Sequence, residues 1–372
     1  MSRKKIIFFI NSLSFFISHR INIAEKVFEN NIEVIIVAKK DLQTIPSEIK
    51  KFKFIDINIR DPNFFTEIKN IQLIKKIIQE HKPSFCHFIT VKSIFYAAII
   101  KKSLQNTNVV LSFSGIGSIA SNKKILSFFS KIIFFSLLKK LLLLKNIRLI
   151  FQNYDDQKLI MNYYNFPNHK SYIIHGSGVD LEEFSFKKII IKENLNFLFA
   201  SRLLLDKGLL EFIKASQKIL DNGFNATFTI IGELDKSNPS KINLKEIHKW
   251  IDDKNKFFYA YRKDVKKFIE YSDVVVLPSY REGFPKILIE ASAVGRAILT
   301  TRVPGCKDCV NENVNGILVN PKDYLSLYEG MNKILNNKDN LERMSYHSRK
   351  IAEKKYDINS VNKKHIMIYN SF

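Results

Sequence analysis

At 372 residues the chain exceeds one ordinary domain, and it carries 59 Lys and Arg against 36 Asp and Glu, a net charge of +23. Two domains of about 180 residues fit that length, while three cysteines exclude a disulfide scaffold. Such a charge requires an anionic partner or a compositional cause, and Lys, Ile, Asn and Phe are abundant all along the chain.

Short apolar runs at 5–10, 33–38, 85–89, 108–111 and 147–151 alternate with helical patterns, which predicts a parallel α/β domain. The first run is followed by a loop and a helix starting near Ser18. After the run at 108–111 come Gly115 and Gly117, which make a tight turn or let backbone approach a ligand. Residues 123–145 are apolar bulk broken by lysines, with uncharged stretches too short to span a bilayer. That pattern suits a helix lying in a membrane interface with its cations on anionic head groups, or a helix buried against its own sheet. Gly176 and Gly178 suit a hinge, His175 beside them reads as structural, and the aperiodic stretch 180–194 marks the join. No signal segment is evident before the first run, so a cytoplasmic chain is expected.

The second half alternates likewise, with runs at 197–200, 227–231, 256–259, 274–277 and 297–300. Pro278 ends the fourth of these, the chain turns through Ser279 to Gly283, and Pro285 suits the first position of a helix that Gly295 closes. Gly283 and Phe284 therefore sit at a helix N-terminus beyond a parallel strand, a place that suits a diphosphate or a sugar hydroxyl. Glu282 in the loop is able to accept hydrogen bonds from sugar hydroxyls, and Glu290, a turn and a half into the helix, is within reach of a ribose. On spacing alone the two glutamates are equally a solvated loop charge and a residue favoured by the helix dipole. Cys306 and Cys309 form a Cys-x-x-Cys with no second pair to complete a zinc site.

The stretch from Glu282 to Glu290, continuing through Ala291 to Thr301, resembles the Glu-x7-Glu signature of the retaining glycosyltransferases of family 4, which have the GT-B architecture. Arg296-Ala297 stands where that family usually has a proline. Ser201 to Gly208 resembles its Gly-Arg-Leu turn, with Ser201 for the glycine, and the resemblance gives Arg202 and Lys207 the donor's diphosphate. Two fixed cations there would stabilise the charge growing on a leaving phosphate. The hinge at 173–180 is similar to the family's, with His175 at the customary proline. Residues 16–20 and 112–118 resemble loops of bacterial O-antigen and related surface-polysaccharide transferases, which would turn His19, Arg20, Gly115 and Gly117 to the cleft.

The resemblance implies an α/β protein of two Rossmann-like parallel-sheet domains facing across a cleft. Residues 1–180 would bind acceptor, 195–356 would bind the nucleotide-sugar, and a helix at 357–372 would pack back on the first domain. It implies transfer of a hexose or N-acetylhexosamine, from a UDP-sugar, to a surface-glycan precursor on a polyprenyl diphosphate. No metal and no nucleic acid are expected, and the partners are the nucleotide-sugar, that acceptor and an anionic membrane surface on the inner face of the cell membrane. Tyr280 and Lys286 stand where they would help choose the sugar. The alternatives are a GT-B transferase with a soluble acceptor, and a basic membrane-binding or nucleic-acid-binding module without activity.

Overall fold

A computed structural model describes residues 3–59, 63–116, 125–235, 238, 240–243, 245, 247, 249, 257–260 and 264–372, with backbone alone for 125–131 and 258–260. The chain divides into two compact units, Met1–Ser177 with Ser360–Phe372, and Gly178–Asn359.

The first unit is built on β1 (Lys5–Ser12), β2 (Glu33–Lys39), β3 (Lys53–Asp56), β4 (Phe85–Ile89), β5 (Asn108–Phe113), β6 (Ile147–Phe151) and β7 (Ser171–Ile173). They form one sheet in the order β3-β2-β1-β4-β5-β6-β7, parallel throughout. The strands read as nearly unbroken apolar runs because helices cover both faces. The edge strands β3 and β7 are short and incompletely buried, so they lack the apolar run that marks the others. Helices α1 (Leu13–Glu29), α2 (Phe64–His81), α3 (Val91–Ile99), α4 (Ile125–Leu142) and α5 (Tyr154–Tyr164) supply the cover. Ile7 and Phe9 share a core with α2, α3, α4 and α5, whereas Ile6, Phe8 and Ile10 share one with α1 and with Val361, Ile368 and Tyr369 near the C-terminus.

The first helix differs from expectation. It starts at Leu13 and not near Ser18, because β1 runs on through Ser12, whose Oγ accepts the Phe15 N–H at 3.4 Å. Asn11 and Ser12 are thus a strand end and a helix cap, and His19 and Arg20 lie in the second helical turn.

The second unit carries β8 (Leu195–Ala200), β9 (Ala226–Ile231), β10 (Phe257–Ala260), β11 (Val274–Leu277), β12 (Ala297–Thr301) and β13 (Gly316–Val319), ordered β10-β9-β8-β11-β12-β13. All of these pairs are parallel. Around the sheet lie α6 (Leu209–Asp221), α7 (Val265–Tyr271), α8 (Lys286–Val294), α9 (Tyr324–Leu335) and α10 (Asn340–Lys355), while the last helix, α11 (Ile358–Tyr369), belongs from Ser360 onward to the first unit. Phe197 and Phe199 face one core, and Leu198 and Ala200 the other. The winding direction reverses between β8 and β11, and doubly wound sheets bind ligands outside the carboxyl ends of the strands at such a point.

The charge is not spread evenly, as composition had suggested. Residues of the first unit include 29 Lys and Arg against 11 Asp and Glu, a net of +18, whereas Gly178–Asn359 has 30 against 25, a net of +5. Between Glu80 and Asp155 there is no acidic residue at all.

Candidate functional site

Both second-half motifs leave the sheet at the reversal point. Ser201 to Gly208 follows β8, and Pro278 to Pro285 follows β11. Backbone contacts fasten one turn to the other. The Tyr280 N–H donates to the Asp206 carbonyl at 2.9 Å, and the Ser279 hydroxyl donates to the same oxygen at 3.1 Å. Gly208 has φ +76°, and a Cβ there would overlap the Pro278 carbonyl, so only glycine fits. Gly305, at φ +80°, backs the acidic turn, since a Cβ on it would lie 2.5 Å from the Gly283 oxygen. From the next strand, Thr301 Oγ1 donates to the Ser279 carbonyl at 2.5 Å.

Within this frame the Lys207 ammonium pairs directly with the Glu282 carboxylate. Their side chains are only 19% and 12% exposed, so the pair is largely sheltered from water. Two residues assigned separate tasks from sequence therefore form one unit, in which each offsets the other's charge. Arg202 is not part of it. Its Nη1 donates to Asp235 Oδ2 at 2.8 Å, and its side chain is 55% exposed. Asp235 carries no sequence signal, because it lies in the loop after β9 and meets Arg202 only through the parallel pairing of β8 with β9.

Glu290 is the fifth residue of α8 and is buried. Desolvation pushes its carboxyl above the ordinary glutamate range, partly countered by the Lys286 ammonium 3.4 Å away. Pro285 is the N-cap of α8 and not its first helical residue. The Phe284 ring faces the core, edge-on to Tyr356 at 5.6 Å between centroids, so only its backbone lies at the helix N-terminus. The Tyr280 hydroxyl donates to Glu211 Oε1 at 2.6 Å. Cys306 and Cys309 are free, buried thiols; burial raises Cys306 to about 12, and Cys309 donates to the Gly305 carbonyl at 3.3 Å. Among the described residues no group of His, Cys, Asp and Glu is arranged to hold a metal.

The first unit treats its candidates differently. The His19 ring stacks on Phe15 at 4.2 Å, and its Nδ1 is 2.6 Å from Ser18 Oγ. Arg20 turns inward and is buried; Nη1 donates to the His19 carbonyl at 2.8 Å, and Nε has no hydrogen-bond partner among the described residues. Burial lowers the guanidinium to about 10. It belongs to a polar cluster on the α1 side of the sheet. There His87 lies 2.6 Å from Ser112 Oγ and 2.7 Å from the Tyr369 hydroxyl, and the His365 ring stands 6.0 Å from that of His87. Sequence reasoning missed this cluster, whose members lie up to 349 positions apart in the chain. Gly115 has φ +100°, and the next amide, Ile116 N–H, donates to Asp156 Oδ2 at 3.0 Å; Gly117 lies outside the described residues. His175 Nδ1 is 3.3 Å from the Gln152 carbonyl, a structural contact. In α4 Phe134, Leu138 and Leu141 are buried while Ile132 and Ile133 are exposed, so this helix covers its own sheet and still shows apolar side chains outward.

Two family models match the chain, Glycosyl transferase 4-like over residues 5–153 and Glycosyl transferases group 1 over residues 180–351. CapM, the capsular polysaccharide biosynthesis glycosyltransferase of Staphylococcus aureus, is 27% identical over 204 residues, 53% of either chain, so the similarity spans about half its length. The N,N'-diacetylbacillosaminyl-diphospho-undecaprenol alpha-1,3-N-acetylgalactosaminyltransferase of Campylobacter jejuni is 23% identical over 371 residues, 94% of either chain. Among solved structures, Anabaena HepE in complex with UDP has a TM-score of 0.78 at 17% identity, over 99% of this chain and 100% of that one, which shows a common fold.

Proposed function

Since the chain belongs to the group 1 glycosyltransferases and has their GT-B fold, we propose that it moves a hexose or N-acetylhexosamine from a UDP-sugar to a lipid-linked surface-glycan precursor, retaining anomeric configuration. The observation that carries this reading is the sheltered Lys207–Glu282 pair at the reversal point of the second sheet. An arriving diphosphate offers Lys207 a new anionic partner, which releases the Glu282 carboxylate to accept hydrogen bonds from the sugar. Arg202, held beside the same turn by Asp235, adds a second cation. As the bond to the diphosphate breaks, charge accumulates on the leaving oxygen, and prepositioned cations stabilise that state more than the ground state. The N-terminus of α8, with the Gly283 and Phe284 backbone before it, contributes a positive dipole end. Glu290 accepts from the ribose hydroxyls, and no metal cofactor is required. Front-side displacement with retention needs no protein base, so none is assigned.

The UDP complex of HepE supports the nucleotide, and the diphospho-undecaprenol in the name of the Campylobacter relative supports the acceptor. The cationic first unit and the outward Ile132 and Ile133 support a peripheral place on an anionic membrane at its cytoplasmic face. No described helix is long and apolar enough to cross a bilayer. A thermal-shift screen against UDP, GDP, ADP and their sugar conjugates tests the donor site. UDP should raise the melting temperature of the parent and not of Arg202→Ala. No shift from any nucleotide would overturn the reading.

A further inference from the structure

We infer that the outer face of α2, led by Phe64 and Phe65, is the surface through which the first unit docks on an anionic lipid bilayer. This rests on the lipid-linked acceptor proposed above and names where the membrane is met. Phe64 and Phe65 are 71% and 73% exposed, with their rings edge-to-face at 6.1 Å. Two adjacent phenylalanines held in water by a capped helix are a costly arrangement, since each forgoes the burial that drives folding. The cap is specific: Asn63 Oδ1 accepts the Phe65 N–H at 2.9 Å, which starts the helix at these two residues. Ile68 and Leu73 extend the apolar stripe, and Lys69, Lys75 and Lys76 are exposed among them.

Charge selects the occupant. The acid of the first turn, Glu67, points inward to Lys92 and to the Tyr96 hydroxyl, 2.6 Å away. The outward acid, Glu80, sits at the far end of the helix and pairs with Lys76 at 3.6 Å. Phenylalanines beside Lys69 and Lys75, which form no ion pair among the described residues, on a unit of net charge +18, suit anionic head groups over an apolar interior. The positive end of the helix dipole at Phe64 adds in the same sense. α4, which shows Ile132 and Ile133, covers the same side of the sheet as α2, so both helices offer apolar side chains from one layer.

The test is co-sedimentation of the full chain with vesicles of phosphatidylcholine alone or with one quarter phosphatidylglycerol, comparing the parent with Phe64→Ser/Phe65→Ser. The parent should bind the anionic vesicles, and the double variant at least about tenfold more weakly. The two exposed positions should leave the melting temperature and the UDP shift unchanged. In a second readout, Phe64→Trp should show a blue-shifted emission increment on addition of anionic vesicles. Unchanged sedimentation of the double variant, or no spectral shift, overturns the inference while leaving donor chemistry standing. A concentration-dependent dimer lost in the double variant would overturn it in favour of a second copy. Loss of the UDP shift in the parent would instead count against the proposed function.

Discussion

The two units repeat one winding scheme and use it in opposite ways. In the second, Arg202, Lys207 and Glu282 lie in two loops at the strand ends where the winding reverses, and basic and acidic residues nearly balance. In the first, the polar cluster of Arg20, His87, His365 and Tyr369 lies against the face of the sheet, while the excess of cations sits largely outside. A doubly wound sheet thus fixes where a small ligand fits. Burial and charge decide whether a unit holds that ligand or presents a surface.

The sharpest way to break this contrast is at the sheltered pair. Lys207→Ala should lower kcat roughly 100- to 1000-fold in a single-turnover transfer assay, the scale of losing one prepositioned charge. It also leaves Glu282 largely sheltered and unpaired. Lys207→Ala/Glu282→Ala should then recover melting temperature relative to the single variant without recovering turnover. A kcat within threefold of the parent would dismiss the pair from the chemistry.

Two glycines with the same backbone angle separate crowding from conformation. Gly208 and Gly223 both have φ +76°, but a Cβ on Gly208 would overlap Pro278 whereas one on Gly223 meets nothing within 4 Å. Gly208→Ala should cost about 3 kcal/mol and Gly223→Ala about 1 kcal/mol in urea unfolding. Equal costs would mean the two motif turns are not wedged together.

The first unit should be the acid-sensitive one. Burial holds His87 well below the usual histidine value of 6.5, with His365 and Arg20 adding to the effect. His365 is lowered to about 3 by burial and then by Arg20. The unfolded chain takes up protons that the folded cluster refuses, so stability falls as pH drops from about 6.5 towards about 3. Facing the cluster are Arg20, Tyr369 and Ser112, none of them a carboxylate able to stabilise an imidazolium. Melting temperature should decline between pH 7 and pH 5, and His365→Leu should flatten that decline. The smallest effect belongs to the exposed Arg202–Asp235 pair. Asp235→Asn should change donor KM only about two- to fivefold, since exposed ion pairs are worth under about 1 kcal/mol.

Legibility follows the same division. The main strands and the two turns were readable because each depends on local patterning: apolar runs for buried strands, and Pro and Gly at turn positions; Arg202, Lys207, Glu282 and Glu290 stood out through the resemblance of contiguous motif residues, and their roles rest on it. The start of α1 was misread because Ser12 and Ser14 look like loop residues until strand pairing extends β1 as far as the cap. The edge strands β3 and β7 escaped notice because one open side removes the demand for unbroken hydrophobicity, whereas β13, Gly-Ile-Leu-Val, is apolar but only four residues long.

What sequence alone determined here is the alternation of strands and helices, the family resemblance, and the residue types at the strand ends. Only tertiary structure decided that Lys207 and Glu282 are partners, that Arg202 turns to Asp235, that Arg20 is buried beside two histidines, and that Phe64 and Phe65 stay in water. The reason is one of range. Backbone preference and apolar periodicity act over a few residues, whereas ion pairing and desolvation depend on which distant segments the sheet brings side by side.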